Sequence, residues 1–180
     1  EGYEGLASGA NCHILRWELP FLLGHVAEGL AGAERQISGV VDAQERDGSW
    51  RFQPSGDDKV KLGRAGDAVL GTCATNAVSI LKYARMTGNA RASESGLRAL
   101  AFMNRFAVPR GGQSWECPLY EPDLLAAGFA VGACLEGYAL TGDEAYRVRA
   151  EYWAKTGLSF LYHWHAPDRP AMRYATIPVF

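Results

Sequence analysis

The residues best equipped for chemistry in this 180-residue chain lie between Gln113 and Asp123, in the run Gln-Ser-Trp-Glu-Cys-Pro-Leu-Tyr-Glu-Pro-Asp. Two aromatics, Trp115 and Tyr120, stand there among the carboxylates Glu116, Glu121 and Asp123. Sugar rings stack on aromatic faces, and a protonated carboxylic acid beside an ionised one is the pair that cleaves a glycosidic bond. Glu116 is the first choice for the acid. The Trp115 ring beside it can desolvate the carboxyl and raise its pKa, while Glu121 or Asp123 stays ionised. Asp123 has a second reading, because it follows Pro122 at the start of an apolar run, where Asp is favoured as a helix cap.

A second group, His163, Trp164 and His165, follows the last apolar stretch. Imidazoles serve as general bases near neutral pH, Trp164 offers a stacking face, and Arg173 and Tyr174 can meet the carboxylate of an acidic sugar. Alternate residues on an extended loop point to opposite sides, so His163 and His165 do not converge on one ion. No Cys/His/Asp set has zinc spacing. Neither a metal nor a cofactor is expected.

Repetition indicates which elements position these groups. The stretch 81–89, Leu-Lys-Tyr-Ala-Arg-Met-Thr-Gly-Asn, has a counterpart at 135–143, Leu-Glu-Gly-Tyr-Ala-Leu-Thr-Gly-Asp. In each, an apolar helix runs into Thr-Gly and then Asn or Asp, which supplies a terminating glycine and a cap for the next helix. Helices joined so tightly lie antiparallel. The helix before each joint is free of charge from Ala68 to Leu81 and from Leu124 to Leu135, which predicts burial all round. The helix after the first joint is two-faced, with Arg91, Glu94, Arg98 and Arg105 on one stripe and Leu97, Leu100 and Ala101 on another side. Trp153 and Tyr146 read as core beside Ala150.

A third, weaker copy is expected upstream, from Pro20 to Leu30 and, after a break at Gly32, from Glu34 to Glu45. The domain reading is therefore a single all-α unit of three αα-hairpins, approximately 14–46, 65–107 and 121–163. The long segments 46–64, 107–121 and 163–180 then emerge at one end, which holds the candidate site.

Charge and composition exclude other classes. Lys+Arg 18 against Asp+Glu 20 leaves a net charge of -2, with no footprint for nucleic acid. Neither charge-free stretch, Ala68 to Leu81 or Leu124 to Leu135, reaches the roughly 20 residues a bilayer span needs. Cys12, Cys73, Cys117 and Cys134 are scattered and do not fix the redox compartment. Both ends read as cuts, which leaves localisation open.

The segment Gln44-Glu45-Arg46-Asp47-Gly48-Ser49-Trp50 resembles the QW repeat of the squalene cyclase and protein prenyltransferase superfamily. In that repeat the Gln closes a helix end and the Trp stacks over it. Gln113-Ser114-Trp115 is similar to a degenerate second copy. The stretch Thr141 to Tyr146 looks like the hairpin turns of six-hairpin glycosidases and toroidal polysaccharide lyases. Both resemblances imply an α/α toroid, of which three hairpins make half a ring, so the rest of its own chain would complete it. They also imply an oligo- or polysaccharide substrate and a glycoside hydrolase or polysaccharide lyase activity. The alternatives are a terpenoid cyclase or prenyltransferase-like toroid and a non-catalytic binding module on the same scaffold. Asp57-Asp58 lies in a Gly/Pro/Lys loop and lacks the cyclase's Asp-rich surroundings.

Overall fold

The computed structural model describes residues 23–114 and 117–158, the side chains of 57–59 excepted. They form five α-helices and no strand: α1 Val26–Asp42, α2 Leu70–Thr87, α3 Ala90–Met103, α4 Leu124–Thr141 and α5 Glu144–Leu158. A 3-10 turn covers Asp57–Leu62. The chain divides into two compact units, Glu1–Ala43 and Gln44–Phe180.

In the first unit α1 corrects one expectation, for it runs through Gly32 without a break. A lone glycine costs a helix about 1 kcal/mol relative to alanine. The buried positions Gly29, Ala33, Ile37 and Val41 continue with helical spacing across that point. The start of the expected first hairpin, before residue 23, lies outside the described residues.

In the second unit the two joints are built alike. Gly88 and Gly142 take left-handed conformations, φ 71° and 73°, and return their N–H groups to Ala84 and Tyr138. The preceding threonines donate Oγ1–H to the carbonyl four residues back, Thr87 to Tyr83 at 2.7 Å and Thr141 to Gly137 at 2.8 Å. Each of those hydroxyls also accepts the N–H of the next capping residue, Asn89 or Asp143. The Asn89 side chain then caps Ala92 N–H, and the Asp143 side chain receives Ala145 N–H. Joints this short fold α3 back along α2 and α5 back along α4.

The two hairpins pack through their first helices. α4 lies against both α2 and α5, α3 lies against α2, and α3 meets α4 only lightly. Gly96 of α3 makes room for Leu81 of α2, since a Cβ there would stand 2.5 Å from the leucine. Gly137 of α4 makes room for Leu100 in the same way, at 2.4 Å. Trp153 is fully buried and Ala150 nearly so, as expected of a core, while Tyr146 is half-buried.

Two burial expectations are corrected. α2 buries Leu70, Cys73, Ala74, Ala77, Ile80 and Leu81 completely, but α4, no less apolar, leaves Gly128, Leu135 and Ala139 exposed. Apolarity all round records what a helix tolerates, and its neighbours decide which side is covered. On α3 the buried set is Ala92, Ser95, Gly96, Ala99, Leu100, Phe102 and Met103, so Ala101 faces water, where so small a side chain costs little.

Candidate functional site

The loops leaving α3 and preceding α2 gather at the end where α2 and α4 begin. Phe52 donates its N–H to Asp67 at 2.7 Å and receives that of Gly66 at 2.9 Å, while Leu119 donates to Leu62 at 2.6 Å. These bonds seat a small apolar cluster of Phe52, Leu62, Val69 and Leu119. Gly71, in the first turn of α2, gives its N–H to Arg110 at 2.8 Å. The approach is so close that a Cβ on Gly71 would lie 2.3 Å from the backbone of Gly111.

Asp123 is the side chain that ties α4 into this end. Its Oδ1 accepts Ala126 N–H at 2.6 Å, which caps α4, and its Oδ2 accepts Gly112 N–H at 2.7 Å. The residue is 2% exposed. Burial pushes its carboxyl above the ordinary carboxylate range, against the pull of the backbone N–H groups that favour the charged form. Both oxygens are thus engaged by backbone, and the capping reading describes what Asp123 does here.

Tyr120 and Glu121 precede it. The Tyr120 hydroxyl donates to Asp67 Oδ2, whose other oxygen receives Arg64 Nη2 at 3.0 Å and Nε at 3.2 Å. Arg110 Nη1 donates to the Tyr120 carbonyl. The hydrogen bond from Tyr120, and then Arg64, holds the Asp67 carboxyl below its usual range. Tyr120 remains 44% exposed, so its ring is open although its hydroxyl is taken. Glu121 is half-buried in a turn closed by its own N–H to Pro118 at 3.1 Å. Trp115, Glu116, His163, Trp164, His165, Arg173 and Tyr174 lie outside the described residues.

A cavity of about 340 Å³ opens at the same end. Its apolar lining is Trp50 and Phe52; its polar lining is Arg51, Gln53, Ser55, Thr72, Asn76 and Ser114. Thr72 and Asn76 are one helical turn apart at the start of α2, and therefore share a face. Thr72 Oγ1 bonds the Trp50 carbonyl at 3.3 Å and the Val69 carbonyl at 2.9 Å, so it fixes the wall as well as lining it. Among the described residues, no carboxylate lines this cavity. An array of amide and hydroxyl residues suits a polyol, which needs donors and acceptors at once.

The sequence reading did not single out Thr72, Asn76, Gln53 or Ser55. The signal for two of them was present, since Thr72 and Asn76 are polar positions four apart in the charge-free first part of α2, but Thr75 and Ser79 are polar there too.

Gln44 differs in detail from its expected role. Its Nε2 donates to the carbonyls of Gly48 at 3.0 Å and Ser95 at 2.9 Å, and its Oε1 accepts Ser95 Oγ at 2.8 Å and Arg98 Nη2 at 2.7 Å. It therefore joins its own turn to the middle of α3. Trp50 is buried. Cysteine chemistry is disfavoured at Cys73 and Cys134, whose thiols burial pushes up, Cys134 to about 12. Among the described residues no three of His, Cys, Asp and Glu converge as metal ligands. Comparison with protein-family models, with curated proteins and with solved structures found no match for this chain.

Proposed function

We propose that this is a carbohydrate-active protein built on an α/α toroid, of the glycoside hydrolase or polysaccharide lyase kind, with its sugar site at the end where α2 and α4 begin. The observation that carries the reading is the lining of the 340 Å³ cavity, where amides and hydroxyls from Gln53, Ser55, Thr72, Asn76 and Ser114 surround Trp50 and Phe52. Such a lining meets the hydroxyls of a sugar with donors and acceptors. The side-by-side packing of two inner helices, each backed by its own outer helix, supports the toroid reading.

In this reading the described cavity binds and the neighbouring 113–121 loop supplies the chemistry. Glu116 is the proton donor and Glu121 the ionised partner; the loop bearing His163 and His165 supplies a base if the bond is broken by elimination. Asp123 is left to its structural task. A polar lining does not favour the isoprenoid reading, since a terpenoid chain needs an apolar cavity.

Glycan-array binding with the intact protein, paired with an isoprenoid binding assay, tests the proposal. Selective binding of one glycan class is the expected result. Silence across the array together with isoprenoid binding sinks the proposal.

A further inference from the structure

Among the described residues, Arg51 is the one charged group in the cavity lining. The turn just before it fixes its side chain. Glu45 N–H bonds the Ser49 carbonyl and Gly48 N–H bonds the Glu45 carbonyl, each at 2.9 Å, which closes that turn. Asp47 within it receives Ser49 N–H at 3.1 Å, Ser49 Oγ–H at 2.6 Å and Arg51 Nη2 at 2.7 Å. The hydrogen bond from the Ser49 side chain holds the Asp47 carboxyl below its usual range, so the anchor stays ionised. Arg105 Nη1 stands 3.8 Å from the Asp47 oxygen that Arg51 meets, and Arg64 has its own carboxylate in Asp67. Three arginines thus share two carboxylates, which leaves one positive charge over.

We infer that the cavity takes a sugar unit bearing a carboxylate, which the Arg51 guanidinium pairs while Gln53, Thr72 and Asn76 meet the ring hydroxyls. This rests on the sugar reading of the same cavity and narrows it. A guanidinium holds five N–H donors in a fixed fork, and the bond to Asp47 uses one of them. The Arg51 side chain is 35% exposed, partly withdrawn from water and still open to a ligand. A carboxylate matches the planar fork, and charge-assisted bonds of this kind are about twice as strong as neutral ones. α2 adds to the attraction, because it starts at this wall with Thr72 in its first turn and no acidic residue there. The dipole of a helix places partial positive charge at that end.

Calorimetric titration of the intact protein tests the inference with oligosaccharides of polygalacturonate, alginate and hyaluronan. Each is compared with its carboxyl-reduced form, in which a hydroxymethyl group replaces the carboxylate. The acid form of at least one should bind about tenfold more tightly than its reduced form, the scale of a hydrogen bond to a charged group. Arg51→Gln should remove that preference and leave affinity for the reduced form unchanged. Arg51→Lys, which keeps the charge without the fork, should retain only part of it, and reads the same contact if Arg51→Gln fails to fold. Arg91→Gln, an equal loss of charge beside the Thr87-Gly88 joint, should keep the full preference. Equal affinity for acid and reduced forms overturns the inference and leaves the sugar site standing. An acid preference that survives both Arg51 variants also overturns it. If none of these ligands binds, the inference falls, and the sugar reading falls with it only when the glycan array is silent too.

Discussion

Gly112 donates its backbone N–H to Asp123 Oδ2 at 2.7 Å, and a methyl group in place of its α-hydrogen would stand 2.3 Å from Asp123 Oδ1. The glycine and the carboxylate fit only each other. The loop leaving α3 is thereby fastened to the first turn of α4.

The first prediction follows directly. Asp123→Asn keeps the shape but turns one acceptor toward an N–H as a donor, and should destabilise the fold by about 1–3 kcal/mol in urea titration. An unchanged midpoint would show that the cap is dispensable.

The same carboxyl gives a pH dependence of definite sign. Burial raises its folded-state pKa, so the folded chain holds this proton more tightly than the unfolded one. Its protonation-linked stability is complete below the unfolded pKa and is lost as pH rises through the folded pKa. The stability gap between wild type and Asp123→Asn should therefore narrow across that interval; a gap that widens contradicts the burial argument.

Glycine substitutions should separate conformation from space. Gly88 and Gly142 have left-handed φ but open surroundings, so alanine at either should cost about 1–2 kcal/mol. Gly48 combines φ +91° with a Cβ position 2.4 Å from the Arg98 carbonyl oxygen, so Gly48→Ala should cost clearly more. Equal costs at all three positions, measured by denaturant unfolding, would mean that the Gly48 turn is free to move off α3.

In the cavity, Asn76→Ala should weaken glycan binding about tenfold, near 1.4 kcal/mol, with the melting temperature unchanged. Thr72→Val should lower both, because Thr72 also holds the Trp50 carbonyl. Calorimetric titration alongside thermal melts distinguishes them. Identical behaviour of the two variants removes Asn76 from the binding site.

For the chemistry itself, Glu116→Gln should cut kcat on a cleaved glycan by about a hundredfold or more, the usual scale for a positioned proton donor, at unchanged melting temperature. Wild-type turnover would take Glu116 off the catalytic list. Parallel loss of stability would make it structural.

What could be read in advance follows from the range of the physics involved. The Thr-Gly-Asn and Thr-Gly-Asp joints were legible because every bond in them is local, from Thr87 to Tyr83 or from Asn89 to Ala92. The cap at Asp123 was legible as one of two readings for the same reason. Its second bond, to Gly112 eleven residues away, was not, nor was the capture of the Tyr120 hydroxyl by Asp67. Gly32 misled because glycine's cost is small against four buried positions on one stripe. The open side of α4 was illegible because its composition matches that of a fully enclosed helix, and only the placement of α2 and α5 reveals what is left uncovered.

The tripeptide Arg110-Gly111-Gly112 anchors two helix starts at once, through Gly71 N–H to Arg110 and through Gly112 N–H to Asp123. Neither anchor can be released by moving its own helix alone without disturbing the shared segment. Amide hydrogens at Gly71, Gly112 and Ala126 should therefore exchange with solvent in a single correlated opening, with one common protection factor. The entrances of the two hairpins would then behave as one unit of local unfolding although 41 residues of chain separate Gly71 from Gly112.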